Sequence, residues 1–286
     1  MTATSARAAA AAAPAERERI DLLTRIRHEL NDGFVMTWRN LMRWVRLPQL
    51  LVVSTIQPIM FVLLFNFVFG GPIDIPGIDN YIDYLLAGIF VQATTFGATQ
   101  TGVALAEDLA QGVIDRFRSL PMSRSAVLAG RTTADAVRGL FVVLLMTVIG
   151  SLIGFRFGGT ALGAVGAIAL VVAFGFALSW IAAVVGMSMR SPEAAQAASF
   201  VWVFPLVFAS SAFVPTQTMP PWLAAFAENQ PVSAVANAAR ALMLGEPGEA
   251  IAGGSAGELT LRALVWIAAL LAVAVPLAIQ RYRRAV

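Results

Sequence analysis

The sequence contains no cysteine and no lysine, and its only histidine is His28. Without cysteine the chain has no disulfide, thiolate nucleophile, iron–sulfur cluster or cysteine-bound zinc. Without lysine it has no Walker A lysine, so it cannot hydrolyse ATP by a P-loop mechanism. A single histidine excludes a multi-histidine metal site. We therefore expect no catalysis, metal ion or other cofactor in this chain, and favour transport, anchoring or signalling as its function.

Charged residues are also scarce, at 13% of 286 residues, whereas 58% are hydrophobic. Soluble domains carry about 25% charged residues, so this composition predicts an all-α integral membrane protein. A helix that crosses the hydrocarbon core needs about 20 apolar residues. Six spans fit the uncharged stretches of the sequence: roughly 48–69, 84–106, 138–156, 163–187, 197–214 and 262–280. The second stretch is the weakest prediction, because its glutamines and threonines are costly against lipid.

The placement of the arginines predicts the orientation. If the N-terminus is cytoplasmic, 17 of the 20 arginines fall on the cytoplasmic side, and only Arg156, Arg240 and Arg262 fall outside. Cytoplasmic loops are enriched in arginine and lysine. We therefore expect a multi-pass protein of the cytoplasmic membrane with both termini in the cytoplasm, which agrees with an even number of spans.

The residues before the first span predict an interfacial helix. Residues 1–15 are expected to be a disordered tail, 16–46 an amphipathic helix, and 47–286 the six-span domain. Phe34 and Trp38 fall on an apolar face, opposite a basic face that carries Arg39, as in helices that lie in the membrane interface. The helix either only anchors the first span or also contacts a cytoplasmic partner.

Two groups of side chains within the spans are candidates for a substrate path. Polar residues of the second span recur near every four positions, so most of them share one helix face. Aromatic residues of the fifth span offer a surface for a flat hydrophobic molecule. The alternatives are helix packing through hydrogen bonds for the first group and lipid contact for the second. The candidates are Gln92, Thr95, Thr99, Gln100, Trp202, Phe204 and Phe208.

The segment between the second and third spans is a candidate docking surface. Pro121 interrupts it, which predicts two short helices joined by an elbow. Apolar and charged residues are mixed before the proline, and Phe117 is the largest apolar anchor. The alternative is a solvated basic loop that serves only orientation. The candidate contact residues are Glu107, Asp108, Asp115, Arg116, Phe117, Arg118 and Leu120.

The segment before the last span predicts an external re-entrant hairpin. Residues 214–244 are too apolar for an aqueous loop, yet their prolines break any continuous span. Such a hairpin requires that its backbone be buried in protein. Its second half, Val232–Leu244, has a helical pattern that Gly245 ends, and we expect 246–258 to be a loop.

Three stretches resemble the membrane subunit of type-2 ABC exporters, and most closely the DrrB-like daunorubicin-resistance permeases. The first stretch runs from Arg46-Leu47-Pro48 to Gln57-Pro58, and the second from Asp115-Arg116-Phe117 to Met122-Ser123. The third and most specific stretch runs from Ser211-Ala212-Phe213-Val214-Pro215 through Met219-Pro220-Pro221-Trp222 and Glu228-Asn229-Gln230-Pro231 to Ala239-Arg240-Ala241-Leu242. The likeness covers about residues 20–284.

This resemblance implies partners that the composition does not reveal. Two permease subunits, identical or related, pair in the membrane, and each contacts a separate ATP-binding subunit that holds ATP and Mg²⁺. The N-terminal helix and the elbow form that contact, and the second and fifth spans line a route that the hairpin caps. The expected substrate is a hydrophobic drug, natural product or lipid, with no role for nucleic acid. Two alternatives stay open: export of a lipid-linked glycan, and a membrane anchor that transports nothing.

Overall fold

The computed structural model describes residues 33–42, 46, 48–71, 75, 77–78, 80–112 and 124–284. These residues contain helices and no strand, which confirms the all-α class. Residues 33–42 are helical. We number the helices that follow α1 (Pro48–Leu64), α2 (Tyr81–Ala110), α3 (Arg124–Ile153), α4 (Ala161–Gly186), α5 (Pro192–Phe208), α6 (Pro221–Glu228), α7 (Pro231–Leu244), α8 (Glu246–Ala252) and α9 (Ala256–Arg284). A π-helical turn, Phe65–Phe69, continues α1, and a 3₁₀ turn, Thr216–Thr218, precedes α6.

Three helices in the described part of the chain are long and apolar enough to cross a membrane. They are Leu128–Ile153, Ala161–Gly186 and Ala256–Arg284, which belong to α3, α4 and α9. Helices α1, α2 and α5 coincide with the other three predicted spans. Helices α1 and α5 are shorter and α2 is more polar, so these three are weaker candidates for membrane crossing. The number of crossings therefore stays a prediction.

Helix α2 is the central element, because it packs against α1, α3, α4, α5 and α7. This position resolves the difficulty that its polar residues posed. Thr94, Thr95 and Thr99 are buried in protein. The Thr95 hydroxyl donates to the Val91 carbonyl at 2.6 Å, and Thr99 donates to Phe96 at 2.7 Å. Since each hydroxyl donates to a carbonyl of its own helix, it needs no hydrogen-bond partner from outside α2.

Glycines bring α2 and α4 into backbone contact. A Cβ atom at Gly102 would lie 2.4 Å from the Ala182 carbonyl oxygen, and one at Gly186 would lie 2.1 Å from the Gly102 oxygen. Gly88 similarly approaches the Ala212 carbonyl. Small residues permit this approach of helices in membrane proteins. No other residue type fits at these positions without displacing a helix.

Helices α6 and α7 occupy the segment predicted as a hairpin, whose external and re-entrant placement stays a prediction. Twelve of the fourteen residues of α7 are buried, so it is packed within the protein, against α2, α4 and α9. Gln230 caps it, because its Oε1 accepts from the Val232 N–H at 2.9 Å and its Nε2 donates to the Leu206 carbonyl at 2.9 Å. The structure thus confirms both the helical pattern and its end at Gly245, which has φ of 70°.

The prediction of a loop over 246–258 is wrong. Residues Glu246–Ala252 form helix α8, and α9 begins at Ala256. Pro247 occupies the first turn of α8, beside the acidic residues Glu246 and Glu249. Proline fits the first turn of a helix, and acidic side chains there interact favourably with the positive end of the helix dipole. These signals favour a helix, although the glycine content of the segment suggests a loop.

The helical segment 33–42 packs on the end of the bundle where α2 ends and α3 begins. Met36 is buried in a cluster with Leu105, Leu128 and Tyr282, whereas Phe34 and Trp38 are exposed. That these exposed rings lie in the membrane interface stays a prediction. The tail 1–15 and the residues 16–32 of the predicted helix lie outside the described residues.

The Gly102 contact yields a stability prediction. Gly102→Ala should lower the midpoint of thermal unfolding in detergent, because overpacking a tight contact costs about 1–3 kcal/mol. Gly257→Ala is the matched control, since a Cβ atom at Gly257 meets nothing within 4 Å. Thermostability measured by size-exclusion chromatography compares the two variants. Equal midpoints would contradict the close contact.

Candidate functional site

A cavity of about 270 Å³ lies between helices α1 to α5. Apolar side chains and a cluster of amides and hydroxyls form its wall. The charged residues of its lining are Asp135 and Arg138 of α3. The lining includes Ser54, Gln57, Gln92, Thr94, Phe96, Gly97, Thr99, Gln100, Gly139, Val142, Val172, Gln196 and Phe200.

The residues predicted from the second span mostly meet at this cavity. Gln92, Thr99 and Gln100 line it. Thr95 lies outside the lining; it is fully buried, and its hydroxyl bonds to the Val91 carbonyl. Every other residue of α2 from Gln92 to Gln100 lines the cavity, so Thr95 is the exception.

The predicted aromatic residues of α5 lie outside the cavity, and Phe200 takes their place in its wall. Phe200 begins a phenylalanine ladder, which we define as Phe200, Phe204, Phe208, Phe213 and Phe65. Neighbouring rings of this ladder have centroids 4.6 to 5.4 Å apart. Such distances are those of stacked or tilted aromatic pairs. The ladder connects the cavity wall to the end of α5 and to the π-helical turn after α1. The predicted Trp202 lies outside it and packs partly buried against the core.

An ion pair on α3 was not anticipated from the sequence. Arg138 Nε lies 3.5 Å from Asp135 Oδ1, and Arg138 Nη2 donates to the Gly97 carbonyl of α2 at 2.7 Å. Asp135 also accepts from the Thr101 hydroxyl of α2. Both charged side chains are largely buried. The two oppositely charged residues are three positions apart on one helix, and this spacing in the sequence indicates that they can pair.

Gln92 is the most deeply buried glutamine beside the cavity. The residue is 1% exposed, and its Oε1 atom is buried without a hydrogen-bond partner. A buried polar atom without a partner costs free energy.

A second polar network surrounds Arg240 of α7, which is completely buried. Its Nε donates to the Tyr84 carbonyl at 2.9 Å, and its Nη2 donates to the carbonyls of Ser211 and Ala212 at 2.6 and 3.0 Å. Its Nη1 donates to Asn237 Oδ1 at 2.8 Å. The guanidinium carbon lies 3.7 Å from the centroid of the Tyr84 ring. Burial lowers the pKa of Arg240, and the phenols of Tyr84 and Tyr81 raise it.

A further cavity of about 280 Å³ adjoins this network. It lies between α2, α7 and α9, and its lining is more polar than that of the first cavity. Glu228 accepts from the Thr216 hydroxyl at 3.0 Å on its wall. In the described ranges, no group of three His, Cys, Asp or Glu side chains could hold a metal ion.

The predicted docking residues are only partly described. Glu107 and Asp108 end α2, and Asp108 forms an ion pair with Arg131 of α3. Glu107 accepts from Gln111 at 3.2 Å. The remaining predicted residues lie outside the described part of the chain: Asp115, Arg116, Phe117, Arg118 and Leu120.

Comparison with known proteins gives consistent relatives. The family described as "ABC-2 type transporter" matches residues 32–244. The daunorubicin resistance ABC transporter permease protein DrrB1 of Streptomyces coeruleorubidus is 37% identical over 74% of each chain. The probable doxorubicin resistance ABC transporter permease protein DrrC of Mycobacterium tuberculosis is 29% identical over 88% of each chain. The putative transport permease ycf38 of Porphyra purpurea is 26% identical over 70% of this chain and 67% of the relative.

Removing the Arg240 guanidinium should destabilise the protein. Arg240→Met removes the guanidinium donor from the buried Ala212 carbonyl and leaves the Ser211 carbonyl with only the Tyr84 phenol, and an unsatisfied buried group costs about 1–3 kcal/mol. Arg262→Met is the control, because Arg262 is exposed although it also bonds to a carbonyl, that of Glu228. We expect a clearly lower unfolding midpoint for Arg240→Met than for Arg262→Met. The same midpoint for both would show that the network adds nothing.

Proposed function

The chain belongs to the ABC-2 type transporter family, and we propose that its cavity and phenylalanine ladder form the route of a drug exporter. The protein is a transmembrane permease subunit of an ABC exporter. We infer that its substrates are hydrophobic drugs, natural products or lipids, since its relatives are named for resistance to daunorubicin and doxorubicin. The observation that carries the proposal is a cavity with apolar walls and polar groups, built from the helices predicted to line the path.

The position of the cavity along the helices places the proposed binding region near the middle of the bundle. In the proposed topology six helices cross the membrane, and both termini are cytoplasmic. Helices α1, α3 and α5 then run outward, and α2 runs inward. Asp135 and Gln196 lie in the first halves of α3 and α5, Gln57 lies just past the middle of α1, and Gln92 to Gln100 straddle the middle of α2. From this level the phenylalanine ladder leads outward along α5.

The route requires a partner in the membrane. Gln57 and Gln100 of the cavity wall are exposed, and Phe204 and Phe208 of the ladder are also exposed. A second permease subunit, identical or related, would cover this face and close the route. Such a lining distinguishes a permease from a membrane anchor, because an anchor has no use for a polar cavity within its helices.

Energy reaches the route through the segment between α2 and α3 in this proposal. An ATP-binding subunit contacts the predicted docking residues, from Asp115 to Leu120, and binds ATP and Mg²⁺ itself. Two polar contacts then join the helices on either side of the segment. One is the Asp108–Arg131 ion pair, and the other is Asp135 and Arg138 with Thr101 and the Gly97 carbonyl. Because the second contact forms part of the cavity wall, a displacement of the segment acts on the cavity.

Filling the cavity tests the proposed route. Gly139 lines it, and a Cβ atom there meets only Thr94 Cγ2, at 3.7 Å. Gly139→Leu should place its side chain in the cavity and lower ATP-dependent uptake of doxorubicin into inverted vesicles at least tenfold. Gly139→Ala is the matched control and should retain uptake, because a methyl group fits. Normal uptake with leucine at this position would rule out the cavity as the route.

Removing the docking anchor tests the coupling. Phe117→Ala should weaken binding of the ATP-binding subunit, because truncating an anchor at the centre of an interface costs about 2 kcal/mol or more. Transport and substrate-stimulated ATP hydrolysis should fall together. Phe117→Leu keeps an apolar anchor and serves as the control. Co-purification and ATPase assays measure both effects, and full binding by Phe117→Ala would refute the coupling role.

A further inference from the structure

We propose that the second cavity, which adjoins the Arg240 network between α2, α7 and α9, binds the headgroup of a phospholipid with a primary ammonium group, of the phosphatidylethanolamine type. In this assignment Glu228 holds the ammonium group and Arg262 holds the phosphate group. The lipid is a bound partner and not the transported substrate, so the inference goes beyond the proposed function. It uses only the proposed topology, in which this end of α9 lies at the outer membrane surface.

The charges of the cavity wall indicate a zwitterionic ligand. Glu228 and Arg262 are the charged residues of the lining, and among the described residues no ion pair joins their side chains. A ligand with a positive and a negative group can pair with both residues. An ion of one sign instead meets one attractive and one repulsive side chain.

Hydrogen bonds hold the two charged side chains at the same wall. Arg262 Nη2 donates to the Glu228 carbonyl at 2.8 Å and to Asn229 Oδ1 at 3.0 Å. The Thr216 hydroxyl donates to Glu228 Oε1 at 3.0 Å and orients the carboxylate. Glu228 Oε2 and the Nε and Nη1 atoms of Arg262 have no partner in the described part of the chain. Because both side chains are exposed, these atoms are accessible to a ligand, and a guanidinium binds phosphate well with two parallel donors.

The size and polarity of the cavity suit a headgroup. Its volume is about 280 Å³, whereas pockets for drug-sized molecules measure about 300–1,000 Å³. Asn237 lines its inner wall, and the Oδ1 atom of this residue already accepts from Ser211 and Arg240, each at 2.8 Å. The Asn237 Nδ2 atom has no partner within the described ranges, so it remains a donor for a phosphate oxygen.

The surface beside the cavity favours a lipid over a soluble zwitterion. Leu261 and Val265 stand next to Arg262 on α9 and are 63% and 60% exposed, and residues 263–280 carry no charge. An arginine at the end of an apolar helix places its guanidinium at the level of the headgroups while its stem stays in apolar surroundings. A phospholipid whose phosphate contacts Arg262 can therefore lay an acyl chain along α9.

The Glu228 carboxylate distinguishes between zwitterionic headgroups. A primary ammonium group carries three N–H donors, and a hydrogen bond between two charged groups is shorter and stronger than a neutral one. The trimethylammonium group of phosphatidylcholine has the same charge but no N–H donor. We therefore expect the cavity to prefer ethanolamine to choline.

Two lipids with identical acyl chains test this preference. The permease is purified with its ATP-binding subunit, delipidated in detergent and titrated with dioleoylphosphatidylethanolamine or dioleoylphosphatidylcholine, and native mass spectrometry measures the bound lipid. We expect phosphatidylethanolamine to bind about tenfold more tightly, as one charge-assisted hydrogen bond provides. Glu228→Gln should abolish the preference, because it removes the charge and keeps an oxygen for Thr216. Glu258→Gln is the matched control and should keep the preference, since Glu258 is exposed near the start of α9 and does not line the cavity.

Arg262→Gln tests the phosphate contact. It should weaken the binding of both lipids by the same factor, because both carry the phosphate, and it should leave their ratio unchanged. Equal affinities of the two lipids for the unsubstituted protein would overturn the inference without any variant. A preference that survives Glu228→Gln, or unchanged affinities in Arg262→Gln, would also overturn it.

Two further measurements separate this site from other sources and from the proposed route. Free O-phosphoethanolamine has the same charged groups without acyl chains and should displace phosphatidylethanolamine only at large excess. Displacement at equal concentration would assign the cavity to a soluble zwitterion and contradict the lipid. Gly139→Leu fills the first cavity and should leave lipid binding unchanged, and weaker binding would show that the lipid lies along the route. If transport survives Gly139→Leu while the lipid preference holds, the route fails and this inference stands.

Discussion

The burial of the Arg240 guanidinium is the constraint on which the arrangement of the outer helices depends. A buried charged group needs a hydrogen-bond acceptor for its N–H donors, and Arg240 finds acceptors in three separate parts of the chain. The acceptors belong to α2, to the turn after α5 and to α7 itself. In the described part of the chain no carboxylate forms an ion pair with it. Backbone carbonyls and the Tyr84 ring replace a counter-ion, and a cation over an aromatic face is a favourable contact.

This compensation fixes the hairpin to the bundle. Tyr84 also donates its phenol to the Ser211 carbonyl at 2.7 Å, and Tyr81 donates to the Phe213 carbonyl at 2.7 Å. The turn after α5 is thereby held against the start of α2, and Gly88 allows the backbones to meet. Phe213 of that turn continues the phenylalanine ladder. The end of the proposed route is consequently positioned by hydrogen bonds and not by packing alone.

Charge patterning predicts most of the helices, and the missed features have identifiable causes. The uncharged stretches locate α3, α4 and α9, since lipid excludes charge from a helix surface. Arg240 could not be recognised as buried, because an arginine satisfied by backbone carbonyls has no sequence partner. The pairing of Asp135 with Arg138 is missed because α3 begins at Arg124, well before the predicted span at 138–156. The aromatic residues of α5 are a sequence signal, but the sequence does not show which of them faces the cavity. That residue is Phe200, because of the way α5 packs against its neighbours.

The polar groups of α2 serve two different purposes, and the distinction explains where a cavity can exist. Threonine hydroxyls bond to carbonyls of their own helix, so they need no partner from a neighbour and allow a gap beside them. Gln92 is buried beside them, and its Oε1 has no hydrogen-bond partner. Asp135 and Arg138 hold α2 and α3 together across the same gap. The cavity thus lies where one pair of charges joins two helices. A force that reaches the junction of α2 and α3 therefore acts on this pair and on the cavity wall that it forms, which is the arrangement that a permease driven by an external ATP-binding subunit requires.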